Sequence, residues 1–364
     1  MKFVLAFDSF KDCMRAYEVC ACVREGVLAA CPEAEIVSVP LADGGEGTVD
    51  AVCRIAGREP EMISGITGPL GEKRSVPVMI DGDFAVMEVA SACGIELVPK
   101  SARDPLKTTT FGVGELLTAL RARGVKKCVV GLGGSATVDG GIGMLRALGM
   151  KFCDAAGRET DALVKVARMS PAPSFDMEIL LASDVENPLC GERGAARVFG
   201  PQKGATPEVG ELLSSALARF QKLRGAEDVP GDGAAGGLGF AFRMLGAKRT
   251  SGAAWLLDFA GFDRKIAGAS LVITGEGRSD AQTADGKLPW IVAERAARAG
   301  VPAALVSGAL GAGYEVLADR FVSLSSLAPG PMTLAECLQN APEQLRRQGR
   351  NLATLASHFS MLRT

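Results

Sequence analysis

The sequence predicts an α/β fold built on a largely parallel sheet, with one domain interrupted by a long second one. Three observations carry that reading. Apolar strand candidates alternate with amphipathic helical stretches toward both ends of the chain. The middle breaks this alternation with short strand-like pieces separated by turns. The chain has 364 residues, 48% of them hydrophobic, which is more than one ordinary core holds. The boundaries fall near 60 and 262, giving a discontinuous first domain (1–60 and 262–364) and an inserted α/β domain (61–261).

Taken in order, "KFVLAF" (2–7) is a buried first strand. Asp8 follows it too early for a secretory signal, and no small-residue cleavage site comes after. Residues 14–30 place Met14, Val19, Val23, Val27 and Leu28 at helical spacing. "EIVSVPLA" (35–42) is the next strand, and a helix over about 48–56 stops at Gly57. From 60 to 98, apolar pieces separated by "GPLGE" and "DGD" predict an antiparallel meander. A helix over 109–123 and a strand over 126–131 follow, then a strand over 177–185 and a helix over 208–224. Plain alternation returns with strand 270–275, helix 289–299, strand 303–308, a helical stretch and strand 320–326. A last helix starts near 334, where Thr333 and Glu336 form a T-x-x-E capping box.

Composition excludes several functions. Forty basic residues against 42 acidic ones, no long basic run and only two Tyr and two Trp give nucleic-acid binding little support. No apolar run reaches the roughly 18 residues of a membrane span, so a cytoplasmic protein is expected. The ten cysteines are scattered without a C-x-x-C pair, as small buried hydrophobes of a reducing compartment would be. The single histidine, His358, lies near the C-terminus with no acid or nucleophile beside it, so a histidine-dependent hydrolase is not expected. Chemistry must come from carboxylates, lysines, arginines, hydroxyls and backbone amides. The oligomeric state stays open, a homodimer included.

Six loops share one composition, glycine with an acid or a small hydroxyl: "FDSFK" (7–11), "LADGGEGT" (41–48), "GLGGSATVDGG" (131–141), "SDVENPLCG" (183–191), "GDGAAGGLG" (231–239) and "TGEGRSD" (274–280). Loops at the carboxyl ends of strands are where open α/β sheets bind ligands. Residues 131–136 also satisfy the loose dinucleotide pattern G-x-G-x-x-A, with Asp154 as a candidate ribose acid. The loop sits mid-chain, however, and Ser135, Thr137 and Asp139 suit an anion-holding nest better. No G-x-x-x-x-G-K-[ST] motif is present. Phosphoryl transfer needs cations for phosphates, carboxylates for Mg²⁺ and a carboxylate to position the attacking hydroxyl. Lys11, Lys203 and Lys287 supply the first kind; Asp43 with Glu46, Asp184 with Glu186, and Glu276 with Asp280 around Arg278 supply the others. Two readings stay open beside a kinase: a NAD-dependent oxidoreductase of a small hydroxy acid, and a non-catalytic sugar-acid-binding protein.

Through "DSFK", "PLADGGEGT", "GLGGSATVDGG", "SDVENPL", "VFGPQKGAT", "GAAGGLG" and "ITGEGRSDAQT", the sequence resembles the bacterial glycerate kinases of the first type. The resemblance covers nearly the whole chain. It implies a flavodoxin-like domain interrupted by a second α/β domain, and ATP-dependent phosphorylation of D-glycerate to 2-phosphoglycerate in glyoxylate and sugar-acid catabolism. On that reading ATP with Mg²⁺ meets Gly133, Gly134, Ser135 and Thr137, and Asp43 and Glu46 hold the metal. Ser9, Lys11 and Arg278 bind substrate, Asp184 deprotonates the glycerate hydroxyl, and Lys203 and Lys287 neutralise transferred charge. Three positions depart from the usual pattern: Asp12-Cys13-Met14 stands where Gly-Ser-Leu is common, Val138 where Asn is common, and Ser279 where Leu is common.

Overall fold

Phe3 to Phe7 have no exposed surface, as a continuous apolar run requires of a strand covered on both faces. In the computed structural model, which describes residues 1–361, this strand, Lys2–Phe7, lies inside a five-stranded parallel sheet. The strands run, side by side, Glu35–Ser38, Lys2–Phe7, Leu271–Gly275, Ala303–Ser307 and Ser323–Ser326. Counted along the chain, that order is 2-1-3-4-5, the flavodoxin-like one. The second strand is shorter than its apolar run suggests. Pro40, without an N–H, fits on this edge strand because Val39 and Leu41 on either side of it donate inward, to the carbonyls of Leu5 and Phe7 at 2.7 and 2.9 Å.

This sheet belongs to a compact unit made of Met1–Asp43, Asp50–Gly57 and the residues from Ala253 onward. Helix Ala16–Ala30 and the C-terminal helix Leu334–Met361 cover one of its faces. Val19, Val23, Val27, Leu345 and Leu352 pack there with Phe3, Leu5 and Phe7. Thr333 and Glu336 form the capping box: each main-chain N–H donates to the other's side chain, at 2.8 and 3.3 Å. Pro342 lies inside this helix, so the Leu338 carbonyl four residues earlier lacks its usual donor. The Cys13 thiol donates to it instead, at 3.6 Å.

The second unit comprises Gly44–Val49 and Arg58–Gly252. Its six-stranded sheet runs Lys248–Thr250, Glu178–Ala182, Lys127–Gly131, Phe84–Glu88, Lys73–Asp81 and Glu61–Thr67. The first four strands are parallel and the last two antiparallel, which is the meander expected from 60 to 98. Helices Phe111–Ala122 and Pro207–Arg224 pack Leu116, Leu120, Leu217 and Phe220 into this unit's core. Among the described residues no helix is long and apolar enough to cross a membrane. Cys20, Cys93 and Cys128 are buried, and burial pushes their thiols up to about 12, so they act as small apolar side chains.

Candidate active site

In a 2-1-3-4-5 sheet the chain reverses direction between strands one and three, leaving a crevice at their carboxyl ends. Here those ends release "DSFK" and "GEGRSD". They line a cavity of about 640 Å³ in the first unit. Its charged end gathers Asp8, Lys11, Asp43, Glu276, Arg278 and Lys287. Asp8 stays partly open to the cavity yet is surrounded by protein. Burial, and next the charge of Asp43, raise its pKa well above the usual carboxylate range. Burial also raises the Glu276 carboxyl. Its Oε1 accepts from Ser279 Oγ at 2.9 Å and Thr283 Oγ1 at 2.8 Å, and Ser279 in turn bonds Ser307 at 2.6 Å. Ser279 thus fixes an acid at the cavity. Asp280 lies 3.8 Å from Arg278 and 3.6 Å from Lys287, restraining both cations.

Of the residues expected to act, Ser9, Lys11, Asp43, Arg278 and Lys287 therefore share one cavity. Ser9 also donates its main-chain N–H to Asp8 at 2.6 Å. Sequence reasoning gave Asp8 no role. Its place directly after the first strand is the signal that would have found it. Asp12, where the resemblance leads one to expect glycine, has φ of 60°, a left-handed conformation that glycine adopts without strain.

The loop at 131–141 differs from expectation. Ser135 and Thr137 were to touch phosphate and Lys203 to neutralise it, but all three are buried. Lys203 Nζ donates to Ser135 Oγ at 2.8 Å and to the Thr137 carbonyl at 2.7 Å. Burial lowers this ammonium to about 8. Asp139 also points inward, accepting from Thr110 N, Thr110 Oγ1 and Gly141 N at 2.8 to 2.9 Å. Val138 is fully buried in the core. The physical reason is that the loop is braced from beneath by these polar groups. Close packing of backbone adds to this: a Cβ on Gly133 would collide with Gly45, and one on Gly236 of the loop at 231–239 would collide with the Thr137 carbonyl. Only Gly133 and Gly134 of the four expected nucleotide contacts keep exposed surface.

Glu46, expected beside Asp43 as a metal ligand, belongs to the second unit. There it lines a cavity of about 220 Å³ with Arg74, Glu88, Ser91 and Gly134. Glu88 is nearly sealed, its carboxyl raised by burial, and it accepts from Ser91 Oγ at 2.6 Å and Val49 N at 3.1 Å. Asp184 is exposed at the end of strand Glu178–Ala182, where its Oδ1 accepts the Gly252 N–H at 3.2 Å. Among the described residues no group of three or more metal-ligating side chains is assembled. The dinucleotide reading finds no support. Asp154 spends its carboxylate on its own turn, accepting from Ala156 N, Arg158 N and Arg158 Nε at 2.9 to 3.0 Å.

Comparison with known proteins extends these observations. A model of the glycerate kinase family matches residues 3–357. The glycerate 2-kinase of Escherichia coli (strain K12) is 40% identical over an alignment of 376 residues, covering 98% of each chain. The glycerate kinase of Halalkalibacterium halodurans is 38% identical over 372 residues, 97% of this chain and 98% of that one. A Salmonella typhimurium LT2 protein whose crystal structure carries the assignment glycerate kinase 2 superposes with a TM-score of 0.82, at 39% identity and 99% coverage of both chains. Sheet order, switch-point cavity and full-length similarity converge on one conclusion: this chain belongs to the glycerate kinase family.

Proposed function

We propose that the protein transfers the γ-phosphoryl group of ATP to D-glycerate, giving 2-phospho-D-glycerate. The observation that carries this reading is the first unit's cavity, where three cations and three carboxylates meet at the switch point of a flavodoxin-like sheet. The name of the Escherichia coli relative, a glycerate 2-kinase, supports the position of transfer. Both substrates are anions, and Lys11, Arg278 and Lys287 supply compensating charge.

The donor set fits Mg²⁺, a hard cation that binds through one or two carboxylates and completes its shell with water and phosphate oxygens. Asp8 and Asp43 are such a pair, and the electrostatic cost of their proximity would fall with a cation held there. Bound there, Mg²⁺ would offset the charge of the phosphates. Ser279 and Thr283 hold Glu276 in one orientation at the same cavity. In the second unit, Asp184 is the residue we assign to position and deprotonate the attacking hydroxyl. In a loose transition state, removing such a group costs about 10²- to 10⁴-fold in turnover.

An ADP-release assay tests these roles. Asp184→Asn should lower kcat by that factor with KM for D-glycerate nearly unchanged. Asp43→Asn should raise the Mg²⁺ concentration needed for half-maximal rate at least about tenfold, and chelation should stop the wild-type reaction. Near-normal turnover in Asp184→Asn would remove the base assignment. An unaltered Mg²⁺ requirement in Asp43→Asn would remove the metal assignment.

A further inference from the structure

Three carboxylates meet at the charged end of the first unit's cavity, and Mg²⁺ needs one or two of them. Glu276 is the third, and buried hydroxyls fix it. Ser279, Thr283 and Ser307 have no exposed surface. Thr283 Oγ1 accepts the Asp280 N–H at 3.1 Å and donates to Glu276 Oε1 at 2.8 Å. Ser279 Oγ donates to the same oxygen at 2.9 Å, so Ser307, 2.6 Å away, supplies the proton that Ser279 accepts. Burial raises the Glu276 pKa, and the two hydroxyl donors oppose this by favouring the ionised form. Oε1 is thereby occupied and the carboxylate held in one orientation. Oε2 is not occupied. Among the described residues none donates a hydrogen bond to it, and no cation forms an ion pair with Glu276. Nor is it among the buried atoms left without a partner, so this oxygen keeps accessible surface on a residue that lines the cavity.

We propose that Glu276 Oε2 accepts a hydrogen bond from the hydroxyl that does not react, the 3-hydroxyl of D-glycerate, and so selects the acid. This rests on the glycerate-phosphorylating reading given above and names the group that recognises the acceptor. The acid brings one carboxylate, which belongs with the cations Lys11 and Arg278, and two hydroxyls, one of which takes the phosphoryl group. The other hydroxyl is an O–H donor, and an oriented anionic oxygen open to the cavity lacks a donor. A site built to bond a hydroxyl disfavours the analogue without it, because its own polar group is then left unpaired. It also disfavours an analogue with a carboxylate at that carbon, because like charges then face each other. D-lactate has a methyl group there and tartronate a second carboxylate. One residue thus excludes both, for two different reasons.

Calorimetric titration of the full chain with D-glycerate, D-lactate and tartronate tests the assignment. Glu276→Gln keeps the size of the side chain and an acceptor for Ser279 and Thr283, and it removes the charge. Its Kd for D-glycerate is expected to rise about tenfold and its Kd for tartronate to fall about tenfold, while D-lactate stays within about twofold. Loss of structure or of a metal ligand would move the three acids in one direction. Ser279→Ala removes one of the two donors that orient Glu276. It is expected to raise the KM for D-glycerate about threefold with kcat within about twofold. A folded Glu276→Gln chain that binds all three acids as wild type does, or weakens them alike, overturns the proposal and leaves the kinase reading standing. A Glu276→Gln chain changed only in its Mg²⁺ requirement places this carboxylate on the metal and likewise overturns it. Should Glu276→Gln not fold, an unchanged KM in Ser279→Ala overturns it. A wild-type chain that neither binds nor phosphorylates D-glycerate overturns both readings.

Discussion

Lys203 is a buried cation that braces the loop at 131–141. Its ammonium reaches Ser135 and Thr137 rather than the surface, and burial lowers its pKa to about 8. The folded value thus lies below the unfolded one of about 10.4. Between those two values the unfolded chain binds a proton that the folded chain has released, so stability rises with pH across this window. Urea unfolding between pH 8 and pH 10 should show wild type gaining stability relative to Lys203→Met, which cannot titrate. Parallel profiles would mean that Lys203 ionises as it does in the unfolded chain. Nothing in "FGPQKGAT" announces this burial, because lysine beside glycine describes a phosphate loop and a buried strut equally well. Lys11, Asp43, Arg278 and Lys287 were legible for the opposite reason. Each lies close to a strand's carboxyl end or beside a glycine, and in the first unit that position opens onto a cavity.

Helix Ala16–Ala30 and the C-terminal helix approach so closely that two glycines, Gly26 and Gly349, meet the opposite backbone. A Cβ at Gly26 would collide with the Arg346 carbonyl, which cannot swing away as a side-chain end could. Alanine at this position gains about 1 kcal/mol of helix propensity and loses about 1–3 kcal/mol or more to overpacking. Packing wins, and Gly26→Ala should lower the unfolding free energy by about 2 kcal/mol. A gain in stability by chemical denaturation would show that the helices lie farther apart than described. The strands were legible from uninterrupted runs such as "KFVLAF", and the meander from its turns. The purpose of the loop glycines was not. Gly133 and Gly236 accommodate neighbouring backbone, and a sequence does not distinguish that need from close approach of a phosphate. Strand 35–42 ends as regular strand at Ser38, yet Val39 and Leu41 keep their bonds to the first strand, so the apolar pattern followed the pairing past the regular element.

Across the whole chain, the insertion falls between the second and third strands of the five-stranded sheet, so the first unit keeps its 2-1-3-4-5 order despite the interruption. That order creates the crevice, and the crevice holds the chemistry-bearing groups that the sequence scatters from Asp8 to Lys287. Alternation at the two chain ends made the split domain readable, because each end carries complete strand and helix units. The second unit's mixed sheet was readable only as a meander followed by isolated elements, since strand order is decided by contacts distant in sequence. The central claim is phosphorylation of D-glycerate at its 2-hydroxyl. Its most direct test is proton-coupled ³¹P NMR of the product formed from ATP, Mg²⁺ and D-glycerate. The expected result is a new phosphomonoester signal split into a doublet by the single proton on carbon 2. A triplet would place the phosphoryl group on carbon 3, and the absence of any new ester from folded protein would contradict the kinase assignment itself.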